Sequence, residues 1–405
     1  MLPVGIEDIH AAAARIAGRI MRTPTVRSDA ISRATGADVT LKLENLQPVG
    51  AFNERGAANR LALLTEAERR TGVIAVSAGN HAQAVARHAR LMGIAATIVM
   101  PQFTPLSKVS RTAAWGAKVV MHGETLAESG VQAHALAKER GLAFIHPYDD
   151  PAIIAGQGTL ALEFLQDAPD LDTLVIPVGG GGLISGCAVA AKAVKPDVSV
   201  IGVEVAAYSA LAQRLSNRPV EVGGATVAEG IAVRDIGKLP LLVARALIER
   251  VVAVDEVAIE QAICLLLEVE KTVTEGAGAA GLAALLAYPE LVKGRKVGLV
   301  LSGGNIDTRL LASILLRGLV RDGRIVRLRL MIGDAPGQLA RVAGTIGRAG
   351  GNIVEVQHQR LFGGVVAKAT ELDVTVETRD RAHVGEVVAA LAAEGFKVRT
   401  LEGVD

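Results

Sequence analysis

The sequence predicts an α/β protein with mostly parallel sheets and flanking helices, followed by a smaller ferredoxin-like βαββαβ module. Three observations predict it. Short β-branched runs alternate with Ala-rich helical stretches from residue 40 to about 315, the strand-like runs end in small residues, and past residue 325 the pattern switches to period-2 strands around two helices.

The elements follow in order. "GVIAVSA" precedes "NHAQAVARHARLMG", "AATIVMP" precedes "SKVSRTAAWG", and "KVVMHG" precedes "TLAESGVQAHALAKERG", the succession of βα units stacked on a parallel sheet. "TLVIPVG", "VSVIGVEV" and "KVGLVLSGG" add further strands. In open α/β sheets ligands gather at the carboxyl ends of the strands, so the small residues there mark where chemistry is sought. A boundary is predicted near "LLRGLVRDGRIVRL", dividing a domain over 1–320 from one over 326–405. In the second, Val326, Leu328, Leu330 and Ile332 share one face of a strand, and "DAPGQLARVAGTIGRAGG" reads as a helix with acidic and Pro start signals and a Gly-Gly stop. "NIVEVQHQRL", a Phe-Gly-Gly turn, "VVAKATELDVTVE", a helix in "AHVGEVVAALAAEG" and a last strand "FKVRTL" complete the βαββαβ order.

The chain has 405 residues, half of them apolar, enough for a large core and at least one smaller unit. Acidic and basic residues nearly cancel, leaving a formal charge of +1, and no Lys/Arg block marks a nucleic-acid track. Two cysteines far apart in sequence, Cys187 and Cys264, fit buried thiols in a reducing compartment, so a cytoplasmic location is expected. The opening "MLPVGIEDIHAAAARIAGRI" carries acidic residues at helical spacing and does not read as a signal peptide. The most apolar runs, such as "AGAAGLAALLA", fall short of the roughly 20 residues a bilayer-spanning helix needs.

Three strand ends carry candidate chemistry. In "VIPVGGGGLISG", Gly179, Gly180, Gly181 and Gly182 precede a helix; without Cβ atoms their amides can turn toward an anion, and the helix N-terminus favours negative charge. The spacing is neither G-x-G-x-x-G nor a P-loop, so a phosphate cradle is read without a dinucleotide or nucleoside triphosphate; tight packing is the plain alternative. In "VSAGNHAQA", Ser77, Gly79 and Asn80 offer a hydroxyl, backbone donors and an amide at another helix start, a receptor for a carboxylate unless Asn80 only caps the helix. In "LVLSGGNID", Ser302 could face a ring nitrogen, or belong to ordinary turn chemistry.

Together and in this order, these elements resemble the fold-type II pyridoxal-phosphate enzymes, and within them the threonine ammonia-lyase (threonine dehydratase) and serine racemase group, over residues 10 to 315. The resemblance implies pyridoxal 5'-phosphate as cofactor, with Gly179 to Leu183 at the phosphate, Asn80 at the ring hydroxyl and Ser302 at the ring nitrogen. It implies an amino-acid substrate received by Ser77, Ala78, Gly79, Asn80 and His81. The family stretch Ser-Phe-Lys-x-Arg-Gly-Ala holds the Schiff-base lysine and stands here as Ala51-Phe52-Asn53-Glu54-Arg55-Gly56-Ala57, with Phe52 beside the cofactor and Asn53 in the lysine position. The racemases resembled carry a hydroxyl where Ala78 stands, and alanine moves no proton, so elimination from threonine or serine is implied over racemisation. Glu204 matches the first carboxylate of a racemase metal site, but Ala210 stands where the second is expected. The tail, through "DAPGQL" and "GGNIVEVQH", resembles an ACT domain, implying an amino-acid effector; a dimerisation module that binds nothing is the alternative. The family also implies a homo-oligomer.

Lysine at position 53 would have two tasks, covalent anchor and general base, and an asparagine amide performs neither. Lys42 on the preceding strand, Lys108 in another βα unit, and Glu54, turned away from Asn53 by helical spacing, offer no obvious substitute. Two expectations stand side by side: a threonine/serine ammonia-lyase scaffold whose chemistry is blocked or strongly impaired at Asn53, and a non-catalytic amino-acid- or cofactor-binding regulator on the same fold. β-Replacement on an activated serine shares the fold and is a third possibility. His81 is read as a packed or capping histidine, Glu275 as lining the ring side of the site or merely opening a helix, and His358 as surface or interface.

Overall fold

The β-branched runs pair into three sheets. The computed structural model describes residues 2–359 and 369–401; the expected Phe-Gly-Gly turn at 362–364 and the start of the strand after it lie outside these residues. The larger sheet has six strands in the order Thr25–Arg27, Asp38–Leu43, Lys296–Leu301, Thr173–Pro177, Ser199–Val205, Arg250–Val254. Only its first pair is antiparallel. The central strands Thr173–Pro177 and Ser199–Val205 are buried along their whole length, as their continuous apolar runs require when helices cover both faces.

The smaller sheet is wholly parallel, ordered Lys118–Met121, Ala96–Met100, Val73–Val76, Ala143–Phe144. It is inserted in sequence between Asp38–Leu43 and the helix Pro151–Asp167, so the chain leaves the large sheet, builds a small lobe and returns. The return helix starts sharply: the Asp150 carboxylate accepts the amides of Ala152 at 2.7 Å and Ile153 at 3.3 Å, and Pro151 occupies the first turn, where its missing N–H costs nothing.

Pro151–Asp167 is the hub that fixes the site. A Cβ on Gly156 would lie 2.6 Å from the carbonyl of Arg55, and one on Gly158 would lie 2.7 Å from the carbonyl of Gly186. The helix therefore touches Asn53–Ala62 on one side and Gly182–Val194 on the other, backbone to backbone, which only glycine permits. Phe164, Leu160, Ile184 and Cys187 pack in the same core.

The chain divides into two compact units, Met1–Ile306 and Asp307–Asp405, so the helix Thr308–Arg321 groups with the second. In that unit the strand Ile325–Gly333 pairs antiparallel with Ala369–Glu377 and Lys397–Leu401, and Asn352–Gln359 pairs with Ala369–Glu377. Val326, Leu328, Leu330 and Ile332 are buried with Val342, Ile346, Val387 and Leu391 of the helices Gln338–Arg348 and Arg381–Ala393, as the period-2 pattern predicts. His358 is exposed on its strand.

Candidate functional site

Both sheets of the first unit direct strand ends toward one place. Ser302 follows Lys296–Leu301 and is only 3% exposed. Its carbonyl accepts the amide of Phe52 at 3.0 Å, Ala51 bridges Gly303, and Gly304 donates to the carbonyl of Gly50 at 2.9 Å. This short pairing brings the start of the helix Asn53–Ala62 to the end of the large sheet, so Asn53, half-buried, and Ser302 are neighbours in the fold although far apart in sequence.

The helix bearing Asn53 is anchored by charge from below. Arg55 is completely buried and forks onto Glu44, with Nε to Oε2 and Nη2 to Oε1 both at 2.8 Å, and onto Glu163 at 2.8 Å, while donating to Thr159 at 3.1 Å. Burial alone would lower its pKa, but the two carboxylates outweigh it and hold the guanidinium charged above its ordinary range. Burial likewise pushes Glu44 up, and Arg55 with Thr23 more than reverses this, so Glu44 stays ionised below the usual carboxylate range. Lys42 completes the cluster at 3.0 Å from Glu163; its burial lowers its pKa, an effect Glu163 only partly offsets. Glu54 also turns away from the site: its carboxylate accepts the amide of Val49 at 2.7 Å and Arg87 at 2.8 Å, and lies 3.2 Å from His88.

The glycine run opens the helix Gly182–Val194 with Gly181 in the left-handed region at φ +94°. Amides at a helix start lack intrahelical acceptors, so this turn presents free donors together with the positive end of the helix dipole. Its outer wall is Tyr148: a Cβ on Gly180 would enter the Tyr148 ring, and one on Gly182 would come within 2.9 Å of the Tyr148 Cβ. Pro240 stands 2.7 Å from where a Gly181 Cβ would be. The Tyr148 hydroxyl donates to the carbonyl of Asp235 at 2.8 Å, and burial pushes its pKa up to about 12, so it stays protonated. Its wall role was invisible in sequence, because nothing local in "HPYDDP" connects it to residues 180–182.

The loop Ser77–Gly79 ends the strand Val73–Val76 and leads into the helix Asn80–Leu91. The Ser77 oxygen accepts the amide of Gly79 at 3.1 Å, which leaves its O–H free to donate. Asn80 is no simple cap: its Nδ2 donates to Glu275 at 2.7 Å, and its Oδ1 accepts from Asn305 Nδ2 at 2.8 Å. Asn305 also holds the loop before Asn53 by donating to the Val49 carbonyl at 2.6 Å. His81 is buried, its Nε2 3.1 Å from the Ile145 carbonyl, and burial pushes its pKa down to about 4, so it is a neutral packing group at neutral pH.

Glu204 is held by main-chain donors. Its two oxygens accept the amides of Leu211 at 2.7 Å and Ala212 at 3.0 Å, while burial pushes its pKa up to about 7. Among the described residues no three-ligand His/Cys/Asp/Glu group gathers around it or elsewhere. Cys187 is buried and its thiol is pushed up to about 12 by that burial, which makes it inert; neither it nor Cys264 is in a disulfide. No helix among the described residues is long and apolar enough to cross a membrane.

A glycine-built anion turn, a neutral buried serine and a polar loop converging at strand ends fit a phosphorylated aromatic cofactor, while position 53 offers that cofactor no amine. A family model described as pyridoxal-phosphate dependent enzyme matches residues 16–303. The chain is 42% identical to an L-threonine ammonia-lyase of Thermotoga maritima over 398 residues, 98% of this chain and 99% of that protein. It is 42% identical to the catabolic L-threonine dehydratase of Escherichia coli K12 over 310 residues, 76% of this chain and 94% of that one. Among solved structures, maize serine racemase superposes with a TM-score of 0.73 at 34% identity, covering 79% of this chain and 99% of that chain. The processed form of threonine deaminase isoform 2 from Solanum lycopersicum also gives 0.73, at 33% identity, covering 78% of this chain and 87% of that one. The architecture is therefore that of the fold-type II enzymes, and the chain belongs to the pyridoxal-phosphate dependent enzyme family, with threonine ammonia-lyases as homologues along nearly its whole length.

Proposed function

We propose that this chain carries the scaffold of a threonine ammonia-lyase, built to convert L-threonine to 2-oxobutanoate and ammonia, and that Asn53 leaves it inactive or strongly impaired. The observation that supports the reaction class is the 42% identity spanning 98% of the chain. The observation that supports impairment is the amide at the head of the helix Asn53–Ala62, with Lys42 and Lys108 both committed to carboxylates elsewhere.

When bound, pyridoxal phosphate supplies an electron sink for deprotonation at Cα and loss of the β-hydroxyl. Gly179 to Leu183 would receive its phosphate with backbone donors, and Ser302, neutral and buried, would meet the ring nitrogen as a hydrogen-bond partner with no charge. Phe52 would line the ring, and Asn80 would use its remaining N–H on the ring hydroxyl. Ser77, Ala78 and Gly79 would receive the substrate carboxylate, with His81 bracing the loop from beneath. Ala78 would leave the face opposite residue 53 without a proton carrier, which favours elimination over racemisation.

Within the second unit, the βαββαβ domain expected over 326–405 would act as an ACT-like regulatory domain for an amino-acid effector in a cytoplasmic homo-oligomer. Asn53 itself favours one other reading, a cofactor- or amino-acid-binding regulator without turnover. Installing the amine separates them. Asn53→Lys should bind pyridoxal phosphate covalently, seen as a mass increase after borohydride reduction, and release 2-oxobutanoate from threonine. Covalent loading with no turnover of threonine or serine would defeat the lyase reading.

A further inference from the structure

Glu275 has a place in the site that capping does not explain. It precedes the helix Gly276–Ala287, yet its side chain makes no cap bond there and accepts Asn80 Nδ2 instead. Glycines make the space: a Cβ on Gly303 would lie 2.5 Å from Glu275 Oε1 and one on Gly230 3.2 Å from it. Because Asn305 holds the other end of the same amide, the orientation of Asn80 is fixed, nitrogen toward Glu275 and oxygen toward Asn305. One N–H of Asn80 remains for a ligand.

We propose that Glu275 is a positioning residue of the cofactor site, whose carboxyl orients Asn80 and takes up a proton from water when the anionic coenzyme enters. The physical reason is like charge: a half-buried carboxylate bonded to the amide that would meet the ring hydroxyl is stabilised in its neutral form when an anionic ligand arrives. Water excluded from its surroundings already pushes its pKa up to about 7, against the opposing pull of Asn80 and Lys108. The charged groups acting on it are Lys108, from the helix Leu106–Ala114, and Glu229, from the turn Glu229–Ile231; Lys108 favours the ionised form, Glu229 the neutral one, and the two are paired with each other. Protonation does not release Asn80, since a neutral carboxyl still accepts its N–H.

The inference rests on the cofactor occupying the site formed by Gly179 to Leu183 and Ser302. Its test is calorimetric titration of this chain with pyridoxal phosphate near pH 8 in buffers of different ionisation enthalpy, against Glu275→Gln, which keeps an acceptor for Asn80 and cannot titrate. The parent should take up close to one proton more than the variant. Its affinity should weaken by up to about tenfold per pH unit above pH 7, a slope the variant loses. Lys108→Met should move the window of uptake to higher pH and Glu229→Gln to lower pH. Equal proton uptake by parent and Glu275→Gln would overturn the assignment while leaving the cofactor site intact. If neither this chain nor Asn53→Lys retained the coenzyme on dialysis, the site itself would be misplaced.

Discussion

Two helix starts face the site, and they differ in kind. At Gly182–Val194 the chemistry would lie in backbone amides, and a side chain on Gly180, Gly181 or Gly182 would meet Tyr148 or Pro240. At Asn53–Ala62 the chemistry would lie in one side chain, and everything beneath it, Arg55, Glu44, Glu163 and Lys42, serves to hold that position still. On the proposed site, cofactor binding would be distributed over many main-chain groups, whereas turnover would be concentrated in a single residue. A chain can therefore keep a complete cradle and lack the amine.

The largest effect that would sharpen this contrast is Asn53→Lys, expected to raise threonine deamination by at least the roughly 10²- to 10⁴-fold that a general base contributes, followed by the appearance of 2-oxobutanoate. Cofactor affinity without turnover in the parent, and turnover only in the variant, would establish the division of labour. Next comes the support of that helix start. Arg55→Met leaves Glu44 buried without its partner and should cost about 3–5 kcal/mol of stability, read from the midpoint of denaturant unfolding. An unchanged midpoint would show that the charged cluster does not hold the helix.

On the cradle side the effects are smaller. Gly180→Ala forces a methyl into the Tyr148 ring; overpacking of about 1–3 kcal/mol should weaken cofactor binding roughly tenfold to a hundredfold with far-ultraviolet circular dichroism unchanged. Undiminished affinity would mean that Tyr148 moves freely and is no wall. Tyr148→Phe keeps the ring and removes only the bond to Asp235, so a loss of about 0.5–1.5 kcal/mol is expected, no more than roughly tenfold in affinity by dialysis.

Much of this was legible along the chain. The four glycines after "VIPV", Ser302 at the end of "KVGLVL" and Asn53 within "AFNERGA" stand out because strand ends and glycine runs are local signals. The tail's order was readable from period-2 apolar positions that do pack on one face. Less legible were the partners. Asn80 looked like a possible cap, yet its amide spans 195 positions to Glu275 and 225 to Asn305. Glu204 resembled half of a metal site, whereas the fold commits both its oxygens to the amides of Leu211 and Ala212. Tyr148 carried no signal, and Arg55 stood only as a match to the family stretch without its buried partners, since a lone tyrosine or a charged residue inside a helix reads as surface until its neighbours are known.

By itself the sequence determined which backbone segments lack side chains, where strands hand over to helices, and that position 53 has no amine, because each depends on residue type and short-range geometry. Only the tertiary structure decided which way Asn80 faces, why Arg55 tolerates complete burial, and what fills the space behind Gly180. Those outcomes depend on groups distant in sequence meeting in a close-packed interior, where a polar atom that has left water must find a partner inside the protein.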